Sequence, residues 1–235
     1  MITLKKKYKG FSLVEMLITI AILGVITLLV ATTLTTLIKV SVVSNVKNQA
    51  RNDVNFIMEL MQRSLGNSNV GDITLYDSKA VRTFDRENMI VKTEDVGIGN
   101  VYDAEEIVET IPSNEIHVRS YGYNVWTCIG FFLDSNVPED PEETRYGYLL
   151  KTNRYELDDH SECFDENAVV MVLHNIDVKV EDFSVAYLVV GDDGDNMFII
   201  STTVFPSSWP TGFSAPVNKE ITRQITVSSQ GLTWY

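Results

Sequence analysis

Apolar residues form two successive patterns in the first 66 residues. From Phe11 to Ile38 the chain is almost continuously apolar, and Glu15 is the one charged residue in that run. Beyond Lys39 apolar residues recur every three or four positions, which predicts an amphipathic helix. Together the two stretches predict one helix over residues 12–65, ended by a glycine and an asparagine. The predicted amphipathic stripe consists of Val42, Val46, Ala50, Val54, Ile57, Met61 and Leu65.

The remainder of the chain has the pattern of short strands joined by polar turns. Alternating apolar positions and runs of β-branched and aromatic residues are typical of strands, and short connections predict antiparallel pairing. The fold class is therefore α+β, with a long N-terminal helix packed on an antiparallel β-sheet head. The predicted strands span residues 72–76, 89–91, 114–120, 123–133, 145–151, 176–190, 197–204 and 221–228.

The apolar run also predicts how the chain is divided. It is longer than the roughly 20 residues that cross a bilayer. Four lysines precede it, and the positive-inside rule places them in the cytoplasm. The predicted parts are a cytoplasmic leader over residues 1–10, a transmembrane helix over 11–39, its amphipathic continuation over 40–66, and an extracytoplasmic β-rich head over 67–235.

The charge balance narrows the function. The chain has 32 acidic and 19 basic residues, a formal net charge of −13, and most of the acids follow residue 50. Because binding to phosphates needs clustered Lys and Arg, this balance argues against duplex DNA as the main ligand. The sequence contains no phosphate-binding loop, H-E-x-x-H, C-x-x-C or G-x-S-x-G motif, so no enzymatic activity is expected.

Two ordinary interpretations of the N-terminal segment are open. A cleaved secretory signal has an apolar core of about 7–15 residues and a small-residue cleavage site, and the run here is longer and lacks a convincing site. A plain membrane anchor explains the length but gains nothing from Glu15, because a carboxylate at the centre of such a helix costs about 2.5–3.5 kcal/mol. Two alternatives are open for Glu15. Its carboxylate either extends to the membrane surface, or it pairs with a group of opposite charge.

The segment Lys9-Gly10-Phe11-Ser12-Leu13-Val14-Glu15, followed by an unbroken apolar helix, resembles the class III signal sequence of type IV prepilins and pseudopilins. The resemblance implies that a prepilin peptidase cuts between Gly10 and Phe11 and methylates the new amine of Phe11. It also implies that Glu15 meets the N-terminal amine of a neighbouring subunit in a filament. Such pairing recovers the cost of burying the carboxylate.

Two features favour a minor pilin or a large minor pseudopilin. The first proline of the chain is Pro112, whereas major pilins often have a proline in the middle of the apolar helix. Residues 170–187 loosely resemble a segment of large minor pilins and minor pseudopilins, in which a short element ending in Asn and an aliphatic residue leads into a strand.

Cys128 and Cys163 are the two cysteines of the chain. In an oxidising compartment such a pair predicts a disulfide, and the alternative is two buried free thiols. A bridge over this loop length stabilises by about 3–4 kcal/mol. The spacing of His160 and Cys163 leaves a zinc site with Cys128 and His174 as a further alternative, but the disulfide uses both sulfurs and no metal site is expected there.

Two C-terminal features carry weaker expectations. Asp192, Asp193 and Asp195 offer the oxygen ligands that calcium prefers, and some pseudopilins bind calcium, but the spacing lacks the Glu of an EF-hand and a solvated hairpin turn explains it as well. Calcium is the single candidate cofactor. The aromatic residues near the C-terminus either cover the edge of the core or contact a neighbouring subunit; they are Phe205, Trp209, Phe213, Trp234 and Tyr235.

The sequence therefore favours a structural function, as a minor pilin or pseudopilin subunit of a type IV pilus-like filament or of a type II secretion pseudopilus. The expected partners are a prepilin peptidase, other pilin or pseudopilin subunits, an inner-membrane assembly platform and, before assembly, membrane lipid. The alternative is a binding module at a filament tip, either an adhesin or a DNA-uptake receptor. The expected location is the cytoplasmic membrane, with one crossing, and later an extracellular or periplasmic filament.

Overall fold

The structure is a computed structural model with one long helix and a β-rich head. By contact density the chain divides into two compact units, Met1–Asn45 and Val46–Tyr235. The residues that the structure describes are 10, 12–77, 82–93, 100–103, 112–120, 124–136, 146–155, 163–165, 168–188, 196–207 and 220–229.

Helix α1 spans Leu13–Gly66 and has 54 residues. The single predicted helix is confirmed, with both ends displaced by one residue. Leu, Ile and Met lose little conformational freedom in a helix, and the segment contains no proline. The buried stripe begins later than predicted, because Val42 is exposed and Val46 is only partly buried. The buried residues of α1 are Ala50, Val54, Ile57, Met58, Met61 and Leu65.

Twelve strands follow α1 in the described part of the chain, after a short 3₁₀ turn at Val70–Asp72. The first six are β1 Ile73–Asp77, β2 Arg82–Asp85, β3 Ile90–Thr93, β4 Asn100–Asp103, β5 Pro112–Ser113 and β6 Glu115–Arg119. The other six are β7 Val125–Asp134, β8 Gly147–Tyr155, β9 Met171–Val172, β10 Val178–Leu188, β11 Asn196–Pro206 and β12 Ile221–Ser229.

The strands form one sheet with the order β12-β11-β10-β8-β7-β6-β1-β4. The β2–β3 hairpin joins β7, while β5 pairs with β10 and β9 pairs with β8. Pairing is antiparallel as predicted, except that β2 runs parallel to β7. The predicted α+β layout is confirmed.

Each of the eight predicted strands overlaps a strand of the structure, with ends displaced by a few residues. Strands β2, β4, β5 and β9 were not predicted. They have two to four residues. Segments this short do not show the alternation of apolar and polar residues that distinguishes a strand from a loop.

The head has two separate apolar clusters, because side chains alternate between the faces of the sheet. In the larger cluster, which we call the helix-side core, the stripe of α1 packs with Leu75, Ile116, Ile129 and Leu149 among others. The smaller cluster, which we call the hairpin-side core, contains residues of the β2–β3 hairpin and of the segment from Cys163 to Val170. Its buried members are Phe84, Val91, Trp126, Cys128, Phe132, Tyr148, Leu150, Cys163, Phe164 and Val170.

Candidate functional site

Two hydrogen bonds that involve the N-cap residue Ser12 close the start of α1. The backbone N–H of Ser12 donates to Oε2 of Glu15 over 3.0 Å, and the backbone N–H of Val14 donates to Oγ of Ser12 over 3.3 Å. This capping box satisfies N–H groups that a helix leaves without partners at its first turn. It also places the carboxylate at the positive end of the helix dipole, where a negative charge is stabilised.

The hydroxyls of the apolar run are satisfied within α1 itself. Each donates to a backbone carbonyl three or four residues earlier, at distances between 2.7 and 3.0 Å. Because these groups need no partner outside the helix, they do not prevent the run from lying in a medium without water. The six threonines are Thr19, Thr27, Thr32, Thr33, Thr35 and Thr36.

The N-terminal part of α1 has the character of a membrane anchor. Every side chain from Ser12 to Val42 is exposed, and most of them are large and apolar. Among the described residues α1 is the one helix long and apolar enough to cross a membrane, a property that N-terminal signal sequences share. A helix that is apolar on all sides needs lipid or other helices around it.

The predicted processing site lies at the edge of the described residues. Gly10 is exposed, and no described atom lies within 4 Å of the position that a Cβ would take there. Phe11 and the lysine-rich leader before Gly10 lie outside the described residues. Cleavage after Gly10, methylation of Phe11 and the pairing of Glu15 with a neighbouring amine therefore stay predictions.

Cys128 and Cys163 form a disulfide in the structure. Their Cα atoms are 6.2 Å apart, which lies in the usual range for bridged cysteines. Cys128 lies in the middle of β7, and Cys163 lies in a short turn that covers the hairpin-side core. The bond therefore joins a central strand to the segment that covers it, and both sulfur-bearing side chains are fully buried.

A buried charged cluster lies beside this disulfide. Glu115 is 2% exposed, and its Oε2 accepts from Nη1 of Arg82 while its Oε1 meets Nε2 of His117, both over 2.6 Å. Burial alone raises the pKa of Glu115, but the hydrogen bond and charge of His117 and the charge of Arg82 outweigh it and hold the pKa below its ordinary value. The carboxylate therefore stays charged and connects the β2–β3 hairpin to β6.

Glycine and aromatic residues make room for this cluster. A Cβ at Gly130 would lie 3.2 Å from Cγ of Glu115 and 3.0 Å from the ring of Phe132, so a side chain there would displace the glutamate. The ring of His117 lies against Tyr76, with centroids 4.2 Å apart, and near Phe164 at 6.4 Å. The charged groups are thus enclosed by rings rather than by water, which strengthens their interactions.

A second ion pair connects β10 to β7 and β8. Nζ of Lys179 donates to Oδ2 of Asp134 over 2.8 Å, and the hydroxyl of Tyr148 donates to the same oxygen over 2.9 Å. Burial opposes both charges, but their mutual hydrogen bond outweighs it, so the pKa of Asp134 lies below and the pKa of Lys179 above the ordinary value. The ammonium group also lies 4.2 Å from the ring centroid of Tyr146.

His174, the histidine of the alternative zinc site, makes other contacts among the described residues. Nε2 of His174 accepts from the backbone N–H of Leu149 over 3.3 Å, and its ring stacks on Tyr148. The histidine beside the two sulfurs is instead His117, which pairs with Cys128 across β6 and β7. His160 lies outside the described residues. The spacing of residues along the chain does not show which residues face each other across a sheet, so the sequence did not indicate that His117 lies opposite Cys128.

The remaining candidates are described only in part. The calcium candidates Asp192, Asp193 and Asp195 lie outside the described residues. Of the aromatic set, Phe205 is described, and its ring makes an edge contact with Tyr146 at 6.0 Å between centroids. Trp209, Phe213, Trp234 and Tyr235 lie outside the described residues.

Sequence reasoning missed three features of these sites. The capping box had a recognisable signal, because Ser followed three residues later by Glu before an apolar run is a helix-start pattern. The charged cluster of Arg82, Glu115 and His117 had only a weak signal in the sequence. This signal is that Glu115 and His117 alternate with apolar residues along β6. The pair of Lys179 and Asp134 had none, since the two residues are 45 positions apart.

Comparison with known proteins gives one match. Residues 5–31 match the family described as the prokaryotic N-terminal methylation motif. No curated protein and no solved structure matches the chain significantly. The match covers the segment that contains Gly10, Phe11 and Glu15 and does not extend into the head.

Proposed function

We propose that this chain, which its N-terminal methylation motif marks as a type IV pilin-like prepilin, is a minor pilin or pseudopilin. In this role it is a structural subunit of a type IV pilus-like filament or of a secretion pseudopilus, and not an enzyme. The observation that carries the proposal is the motif itself, joined to a helix whose side chains from Ser12 to Val42 are all exposed. Such a surface needs lipid before assembly and other apolar helices afterwards.

Processing is the first step of the proposed function. A prepilin peptidase cuts between Gly10 and Phe11 and methylates the amine of Phe11. The exposed position of Gly10, with no described atom within 4 Å of a Cβ there, supports access by a protease. Cleavage at this point removes the lysines of the leader and leaves the apolar part of α1 intact.

Lateral packing of apolar helices is the second step. Glu15 lies four residues after the new amine of Phe11, and in the isolated chain it already accepts one hydrogen bond from Ser12. A carboxylate has room for several donors, so the capping bond leaves capacity for the amine of a neighbouring subunit. A charge pair in a low-dielectric helical bundle offsets the cost of burying either group.

The orientation of the chain follows from its charge. The lysines before Gly10 stay in the cytoplasm by the positive-inside rule, so the acidic head lies outside the membrane. A disulfide in that head agrees with an oxidising compartment. The proposed partners are the prepilin peptidase, other pilin or pseudopilin subunits and a membrane assembly platform.

The test is the mass and N-terminal sequence of the full chain co-expressed with a prepilin peptidase. We expect a mature chain that begins at Phe11 and carries one added methyl group. A chain expressed with an inactive peptidase serves as the first control. Gly10→Val serves as the second control, because no described atom lies within 4 Å of a Cβ at this position. Loss of cleavage in this variant would show that the peptidase requires glycine before the cleaved bond.

Two outcomes would refute the proposal. An uncleaved chain in the presence of an active peptidase would reduce the N-terminal segment to a plain anchor. A chain cut after the apolar run would identify it as an ordinary secretory signal, and the head would then be a secreted domain.

A further inference from the structure

Three side chains with metal-binding atoms meet in the hairpin-side core. One ring nitrogen of His117 and the sulfur atoms of Cys128 and Cys163 all lie within 4.8 Å of one another, and all three residues are fully buried. The sheet brings two of them together, since His117 on β6 pairs directly with Cys128 on β7. Cys163, which lies in a short described turn, supplies the third.

A metal site needs different separations from these, because the two sulfurs are bonded to each other in this structure. Zinc lies about 2.3 Å from sulfur and about 2.0 Å from nitrogen, so ligand atoms around one ion are about 3.5–4 Å apart. After reduction the two sulfur atoms are no longer bonded and move apart to van der Waals contact. That contact distance is about the separation of two ligand atoms around one ion. The ligands would need little further displacement to surround one ion.

The surroundings of His117 match those of a metal ligand. Its Nε2 lies 2.6 Å from Oε1 of Glu115, and Nη1 of Arg82 donates to the other oxygen of that carboxylate. Metal-binding histidines commonly donate one ring N–H to a carboxylate, which orients the ring and leaves the other nitrogen for the metal. Here the ring nitrogen that meets the carboxylate is Nε2.

We propose that the reduced form of this chain binds one zinc ion through His117, Cys128 and Cys163. A disulfide oxidant, which takes up two electrons and is itself reduced to a dithiol, re-forms the Cys128–Cys163 bond and releases the ion. A dithiol reductant transfers two electrons and two protons to the Cys128–Cys163 bond and becomes a disulfide itself. Zinc then displaces the proton of each thiol and binds two thiolates and the imidazole. The redox state of the chain thus selects between a covalent bridge and a metal site, whatever filament the chain serves.

The test uses the full-length chain in detergent micelles, reduced with a phosphine under exclusion of oxygen and freed of the reductant. Cobalt replaces zinc as the probe, because tetrahedral cobalt bound to thiolates has intense visible and charge-transfer absorption. We expect one cobalt ion per reduced chain, displaced by zinc, and no such absorption from the oxidised chain. In the reduced wild-type chain, zinc should slow alkylation of the thiols of Cys128 and Cys163 at least tenfold.

Two histidine variants separate ligation from packing. His117→Gln should weaken cobalt binding at least tenfold and change the visible bands, because one nitrogen ligand is lost. His174→Gln is the matched control, a second buried histidine of the head whose Nε2 is used by a backbone N–H. It should bind cobalt as the wild-type chain does. Glu115→Gln should weaken binding about 10–100-fold with the bands retained.

The proposal is overturned if the reduced wild-type chain binds no cobalt and its thiols are alkylated at the same rate with and without zinc. It is also overturned if the oxidised chain binds equally well, or if His117→Gln binds with unchanged bands. Should His117→Gln fail to fold, alkylation of the wild-type thiols still decides the question. Neither measurement depends on processing or assembly, so failure here leaves the proposed function intact.

Discussion

The two parts of helix α1 share one backbone geometry but differ in how their apolar side chains are distributed and buried. In the part before Asn45 the apolar residues cover every side and are exposed, as at Ile26, which is 53% exposed. In the part after Val46 most of them form one buried stripe, as at Ile57, which is 0% exposed, whereas Phe56 is 51% exposed. A narrow stripe is satisfied by the chain's own sheet, whereas an apolar surface on all sides needs other molecules.

This difference separates the effects of mutation in the two parts. Changes in the exposed part should affect processing and assembly while the head keeps its stability. Changes in the buried part and in the sheet should lower the free energy of unfolding of the head and leave peptidase cleavage intact. Each of the following predictions tests that separation.

The largest effect is expected for Glu15→Gln. Without the negative charge the neighbouring amine has no ionic partner, so the fraction of chain recovered in filaments should fall more than tenfold. The measurement is the ratio of sheared filament to membrane-bound chain. Glu59→Gln is the matched control, since Glu59 is an exposed acid of the same helix paired with Arg63. Filaments of Glu15→Gln at the wild-type level would contradict the pairing role.

A cavity in the helix-side core should have the next largest effect. Ile57→Ala should lower the free energy of unfolding of the head by about 2–4 kcal/mol, because it removes buried methylene and methyl groups from a closely packed site. Ile26→Ala, the same substitution in the exposed part of the helix, should leave it unchanged. Denaturant unfolding of the full chain in detergent, followed by the fluorescence of buried Trp126, gives both values. Equal effects of the two variants would show that the parts are not independent.

Loss of the disulfide should destabilise the head by about 3 kcal/mol. Cys128 and Cys163 are 35 positions apart, and loop-closure estimates for that length are about 3–4 kcal/mol. The double variant Cys128→Ala/Cys163→Ala should therefore unfold at lower denaturant concentration, while cleavage by the peptidase proceeds normally. A chelator must be present when the reduced wild-type chain is compared, because bound zinc would restore part of the stability. An unchanged midpoint would mean that the bridge constrains nothing in the unfolded chain.

The smallest effect is a pH dependence from His174. Burial lowers the pKa of His174 below its ordinary value, against the opposing effects of its hydrogen bond to Asn175 and the charge of Asp53. As pH falls below about 6.5, the unfolded chain therefore takes up a proton that the folded chain does not, and the free energy of unfolding decreases. The slope is at most about 1.4 kcal/mol per pH unit for one group.

Other groups near His174 have to be separated from this effect. Tyr148 stacks on its ring, and Arg86 lies over the same tyrosine. The lowered pKa values of Asp134 and Glu115 produce a loss of stability as pH falls through their ordinary values of 3.8 and 4.5, because the unfolded chain then takes up protons that the folded carboxylates do not. His174→Gln should therefore flatten the profile between pH 6.5 and 5 and leave the acid limb unchanged. A slope that persists in the variant would assign it to another group.

Much of the molecule was predictable from local patterns in the sequence. The bounds of α1 followed from a long apolar run and a periodic stripe, and the long strands β7, β10 and β11 followed from runs of β-branched and aromatic residues. The methylation motif was recognisable from the spacing of Gly10, Phe11 and Glu15. The calcium and methylation predictions fall on or next to residues that the structure does not describe and remain predictions.

The sequence by itself determined the features that depend on neighbouring positions: the helix, its change from an all-apolar surface to a stripe, and the motif at its start. Tertiary structure alone decided which distant residues meet. The sheet set His117 opposite Cys128, and it brought Arg82 and Glu115 together across 33 positions. The physical reason is that helix periodicity is a property of the local backbone, whereas strand order and register depend on how the whole chain buries its apolar surface.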